Sequence, residues 1–94
     1  MTSKERTYLK GLAMTMEPIF QVGKSGVTPE MIEAIDEALE KRELIKISVL
    51  KNCMEDGENA AAMIGERTHS QVVQVIGRKI VLYRKSMKNP KIFQ

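Results

Sequence analysis

Gln21-Val22-Gly23-Lys24-Ser25-Gly26-Val27-Thr28-Pro29-Glu30 passes from an extended run, through a turn bounded by two glycines, into the start of a helix. Before it, Pro18 opens Ile19-Phe20-Gln21-Val22, a strand-like run that tolerates proline at its first residue. After it, Thr28 is a good N-cap, Pro29 suits the first helical position, and Glu30 complements the positive end of the helix dipole. The helix carries Met31, Ile32, Ile35, Ala38 and Leu39 on one face and Glu30, Glu33, Glu37 and Glu40 on the other. Lys41 and Arg42 sit in its last turn, where cations are favoured. Strand, turn and helix in this order form the first part of a β-α-β unit.

Working outward, Thr2 and Glu5 fit a capping box for a helix over Ser3 to Ala13, with Tyr8, Leu9, Leu12 and Ala13 on one stripe. Met14 and Met16 read as core or gap-filling residues. Downstream, Leu44 to Leu50 alternates β-branched Ile45, Ile47 and Val49 with Lys46 and Ser48, the pattern of a strand. Lys51 to Asp56 is a loop, and a third helix spans roughly Gly57 to Arg67, packing through Ala61, Met63 and Ile64. Gln71 to Ile76 and Lys79 to Arg84 are strands, separated by the two residues Gly77-Arg78 of a tight hairpin. The order is α-β-α-β-α-β-β. Strands joined through helices run parallel with right-handed crossovers, and the closing hairpin is antiparallel. The expected fold is a single small α/β domain, a four-stranded mixed sheet packed with helices, over residues 1–86. Residues 87–94 are expected to form a basic, flexible tail.

Composition narrows the function. The chain has 94 residues, 43 % of them hydrophobic, which suits one domain and excludes a disordered chain. One cysteine, Cys53, can form neither an internal disulfide nor a thiolate zinc site. No apolar run approaches the ~18 residues of a membrane span, and Met1 to Lys10 lacks the apolar segment of a signal peptide. These absences lead to an expected cytoplasmic location. Charge is polarised along the chain: residues 1–27 carry +2, residues 28–66 carry −6 and residues 67–94 carry +7. Such a distribution suits a polyanion partner.

Gly23-Lys24-Ser25-Gly26 is the first candidate site. Gly23 and Gly26 permit close backbone approach and positive φ, the following helix start offers unpaired N–H groups to an anion, and Lys24 and Ser25 add a cation and a hydroxyl. The spacing matches neither a P-loop nor a dinucleotide fingerprint. A G-x-x-G turn that clamps a nucleic-acid backbone is the mode of KH domains. The same two glycines would also serve an ordinary tight turn. The second candidate is the basic set Arg78, Lys79, Arg84 and Lys85, extended by Lys88 and Lys91; its alternative is an edge strand kept soluble by charge. Alternation sends Arg84 and Lys85 to opposite faces. The glutamates of the second helix read as a solvated face rather than a metal site, His69 as a surface or helix-end residue, and Cys53 as unreactive. No set of nucleophile, base and oxyanion donor can be assembled, so no enzyme, metal or cofactor is expected.

Leu9-Lys10-Gly11-Leu12-Ala13, Gln21 to Thr28, Ile35-Asp36-Glu37-Ala38-Leu39, Glu43-Leu44-Ile45-Lys46-Ile47, Val73 to Arg78 and Val81-Leu82-Tyr83-Arg84 together carry a family resemblance. The chain resembles the CRM domain (chloroplast RNA splicing and ribosome maturation) in its free-standing bacterial YhbY-like form. Ser25 stands where Asn is frequent, and Lys51 to Ala62 matches poorly. The resemblance implies a fold similar to the C-terminal domain of bacterial translation initiation factor three. It also implies RNA binding through Gly23, Lys24, Ser25, Gly26 and Thr28, with Lys46, Arg78, Lys79 and Arg84 as basic surface. The partner it implies is ribosomal RNA in precursors of the large ribosomal subunit; the sequence leaves the oligomeric state open, with a monomer favoured. The alternatives are an intron-splicing factor and a module docking on a ribosomal protein. With only four aromatic residues, sequence-specific reading of splayed bases is not the expected main mode.

Overall fold

A computed structural model describes residues 1–93. Its elements run α1 (Ser3–Ala13), β1 (Phe20–Val22), α2 (Pro29–Arg42), β2 (Leu44–Val49), α3 (Gly57–Thr68), β3 (Gln71–Ile76) and β4 (Lys79–Tyr83). The expected order holds, and element ends move by no more than a residue or so.

Each helix starts where its cap chemistry directs. The Thr2 hydroxyl accepts the Glu5 N–H at 3.0 Å while the Glu5 carboxylate accepts the Thr2 N–H at 2.9 Å, closing the capping box on α1. Thr28 Oγ1 accepts the Met31 N–H and Asp56 Oδ1 accepts the Asn59 N–H, capping α2 and α3. α3 ends at His69, which takes the left-handed conformation at φ 56°.

The sheet order is β1-β2-β4-β3. β1 lies parallel to β2, with Val22 opposite Val49, and β4 is antiparallel to both β2 and β3. β2 and β3 therefore point the same way, as their helical connection requires, but the hairpin folds β4 between them. One sheet face packs Val22, Ile45, Ile47, Val49, Ile80 and Leu82 against Ile35 and Leu39 of α2 and Ala60, Ala61 and Ile64 of α3. The other packs Leu44, Val73, Val81 and Tyr83 under Leu9 and Ala13 of α1. Truncating a fully buried Ile or Leu of such a core to Ala costs ~2–5 kcal/mol.

β3 contains an irregularity that the sequence reading did not include. Register shifts between Val72 and Gln74, leaving Val73 as a bulge. The extra residue resets alternation, so Val72 and Val75 both pack toward α2 and α3 while Val73 is buried beneath α1. The Arg6 guanidinium donates to the carbonyls of Val72 and Val73 at 2.8 and 2.7 Å, tying α1 across the bulge.

Met14 is a correction: it lies past the buried stripe of α1 and is 81 % exposed, whereas Met16 does pack against the core. The segment after β4 makes hydrogen bonds to Glu40 and Glu43 at the end of α2. Ser86, Lys91 and Ile92 donate their backbone N–H groups to the Glu43 carboxylate at 2.7, 2.7 and 2.9 Å. Glu40 accepts the Ser86 hydroxyl and the Met87 and Lys88 N–H groups. Ile92 and Phe93 pack against the α1 cluster.

Candidate nucleic-acid interface

Parallel strands end on one edge of a sheet, so the segments following β1 and β2 meet there. The antiparallel β4 begins at the same edge, which places the Gly77-Arg78 turn beside them. The Gly26 N–H donates to the Gly23 carbonyl at 2.9 Å, closing a turn with Lys24 and Ser25 exposed at its tip. Gly26 has φ +71°, a conformation L side chains rarely adopt, so glycine is favoured there and any other residue would be strained. Gly23 differs from the expectation. Its φ is not positive, and a Cβ would lie 3.5 Å from Leu50 Cδ1 and 3.7 Å from Asn52 Oδ1, ordinary packing distances. Of the two glycines, only Gly26 is held by backbone geometry.

The turn leads through Val27 to Thr28, whose hydroxyl accepts the Met31 N–H at the start of α2. Lys24 and Ser25 thus stand close to the positive end of a 14-residue helix. Arg78 is exposed and donates to the Leu50 carbonyl at 3.2 Å, joining the hairpin turn to the loop after β2. Lys79 Nζ donates to Ser48 Oγ at 3.0 Å across the paired strands. Lys46 is half-buried and sits two residues before Ser48 on the same face. Alternation adds Gln21 and Gln74 to this face, which α1 covers only toward the opposite end of the sheet. Lys24, Lys46, Arg78 and Lys79 therefore border one region: the glycine turn and the open half of the sheet face beside it.

Arg84 does not join them. It lies past the far end of β4, with its guanidinium paired to the Asp36 carboxylate and donating to the Asp36 and Thr68 carbonyls at 2.9 and 2.8 Å. Its side chain is 20 % exposed, and it fastens α2 to the end of α3. Lys85, Lys88 and Lys91 also lie at that end. The basic residues thus divide between the two ends of the sheet.

The sequence reading missed two groups at the turn. Lys51 and Asn52 are exposed in the loop after β2, with Asn52 beside Gly23. Glu55 reaches the turn from the opposite side: its Oε2 lies 3.4 Å from the Cβ position of Gly26 and accepts from the Cys53 thiol. Their signal was the parallel pairing of β1 and β2, which brings both following loops to one edge. Among the described residues no three His, Cys, Asp or Glu side chains gather in a metal-binding group.

A small α/β domain with a glycine turn and basic side chains at one end of a mixed sheet is the class these features define. Residues 1–84 match the CRS1 / YhbY (CRM) domain, and the chain belongs to that family. It is 50 % identical over 92 residues to the probable RNA-binding protein YqeI of Bacillus subtilis, covering 98 % of this chain and 96 % of that one. A Haemophilus influenzae relative named RNA-binding protein is 35 % identical, with 92 % and 87 % of the two chains covered. The solution structure of a Staphylococcus aureus protein superposes with a TM-score of 0.79 at 48 % identity, covering 95 % of this chain and 93 % of that one.

Proposed function

We propose that this chain is a cytoplasmic RNA-binding protein that acts without chemistry, contacts precursor ribosomal RNA and assists maturation of the large ribosomal subunit. The observation that carries the reading is the exposed Lys24-Ser25 tip, held by the Gly23–Gly26 turn at the start of α2 and bordered by Lys46, Lys51, Arg78 and Lys79. A backbone-gripping turn beside a basic sheet face suits a sugar–phosphate chain. The names of the relatives support RNA as the polyanion. The large-subunit role rests on the resemblance to the YhbY-like form of the family. Arg84 is left out of the proposed interface because its guanidinium is already occupied.

Sedimentation of cell extract tests this reading. At low salt the protein is expected with immature large subunits, and moderate salt releases it, because phosphate contacts lose affinity steeply as counterions compete. Sedimentation with intron RNA and normal subunits would favour a splicing factor. Retention on particles despite salt and a mutated turn would favour docking on a ribosomal protein. Absence from large-subunit precursors even after crosslinking would end the maturation reading.

A further inference from the structure

The turn interface holds none of the aromatic rings. Phe20 packs against the core, and the other three aromatic residues meet at the opposite end of the sheet. There Phe93 lies 5.9 Å from Tyr8, centroid to centroid, and 5.6 Å from Tyr83, edge-on to the latter. Tyr83 is buried, but Tyr8 is 53 % exposed. Thr2, Lys4, Glu5, Tyr8, Ile92 and Phe93 line an open cleft of about 400 Å³. A second depression shares Glu5 and Phe93 with it and brings in Lys85. The single acid common to both, Glu5, is already engaged by the Thr2 N–H.

The cleft has a fixed wall. Phe93 is carried by the segment whose backbone N–H groups are bonded to Glu40 and Glu43, so the ring is positioned before any ligand arrives. A ring face with flanking lysines is the chemistry that binds unpaired nucleotides: the base stacks, and the cations take the phosphates. A protein partner would gain as much from the rings but would leave the lysines without phosphates to neutralise.

We infer that this cleft is a second RNA contact, which stacks an unpaired base on the exposed ring of Tyr8, with Phe93 bracing that ring as the cleft wall, and takes its phosphates on Lys4 and on Lys85 of the adjoining depression. The inference rests on the RNA-binding reading above and deepens it by naming the substrate class. The six-residue β2 separates the two ends by roughly 20 Å. One chain would then hold a paired RNA backbone at the glycine turn and the unpaired nucleotides beyond it at the cleft. Its ligand is a junction between helix and single strand.

The test uses an RNA hairpin, blunt or carrying a short unpaired extension at either end, with 2-aminopurine in the extension. The wild type is expected to change the 2-aminopurine fluorescence as the base stacks and to bind one extended hairpin about fivefold or more tightly than the blunt one. Tyr8→Leu, and the double variant Tyr8→Leu/Phe93→Leu, keep apolar packing and should abolish both effects while blunt-hairpin affinity stays unchanged. Lys24→Ala should weaken all the hairpins alike. Binding of blunt and extended hairpins with equal affinity and no fluorescence change would overturn the second contact and leave the turn interface standing. A folded double variant that still prefers the extension would overturn it too. Failure of the wild type to bind any hairpin would remove the RNA reading and this inference with it.

Discussion

Glu43 should be the residue whose loss most clearly releases the C-terminal segment. It is fully buried at the C-cap of α2, and its carboxylate accepts three backbone N–H groups from the chain beyond β4. In Glu43→Ala those donors lose their acceptor. Hydrogen bonds to a charged group contribute ~1.5–3 kcal/mol each, but the three do not add, because the freed segment can detach and be rehydrated. What is then lost is the docking of that segment, including the packing of Ile92 and Phe93, less the recovered cost of burying a carboxylate. A net loss of ~2–4 kcal/mol is expected, and at ~4–8 °C per kcal/mol for a domain of this size melting should fall by roughly 8–32 °C. Glu43→Gly separates the carboxylate from the backbone: Glu43 has φ 67°, so glycine relieves strain and should be ~1 kcal/mol milder than alanine. Acid should mimic the mutation. Burial alone would raise the Glu43 carboxyl, but the N–H groups of Ser86, Ile92 and Lys91 and the Lys91 ammonium hold it below its ordinary value of 4.5. A lowered folded-state pKa contributes stability present above pH 4.5 and lost as pH falls through the folded value. Thermal melts across pH read both effects. A Glu43→Ala protein that melts within about 2 °C of wild type, with unchanged protection of the Ser86 to Ile92 amides from hydrogen exchange, would refute the reasoning.

Arg84→Ala should destabilise the domain by ~1–3 kcal/mol, since it leaves the Thr68 and Asp36 carbonyls without their donor; below the melting transition its affinity for blunt hairpin RNA should match wild type in a binding titration. Gly57→Ala should cost ~1–3 kcal/mol in a denaturant melt, because its Cβ would lie 2.4 Å from the Gly77 carbonyl oxygen and force α3 from the hairpin turn. Because that turn carries Arg78, RNA affinity should fall in the same variant. Gly26→Val should lose RNA binding and Gly23→Ala should retain most of it, a contrast that gel shifts on folded proteins can read, since only Gly26 has positive φ.

The fold was legible because local chemistry and periodicity agreed at nearly every element. Thr2 with Glu5, Thr28 with Pro29, and Gly77-Arg78 each named a boundary through a hydrogen bond or a dihedral requirement, and all three stand in the structure. The turn at Gly23 to Gly26 was legible for the same reason. The hidden features depend on residues distant in sequence. Val72-Val73 breaks strict alternation, yet only the pairing with β4 reveals a bulge, and only α1 brings Arg6 to its carbonyls. Glu43 looks like any charged residue between a helix and a strand; its partners lie more than forty positions on. The charge of Arg84 is visible in the sequence and groups it with the basic surface, whereas its pairing with Asp36 is a product of packing.

The central claim is that the glycine turn holds an RNA phosphate, and salt dependence tests it most directly. Hairpin RNA affinity should be measured across a series of salt concentrations for the wild type and for Lys24→Ala. The logarithm of affinity should fall linearly with the logarithm of salt for both, and the variant's slope should be shallower by about 0.7–0.9, the release of counterions from one phosphate. An unchanged slope would contradict the account, for it would mean that Lys24 at the tip of the turn makes no phosphate contact.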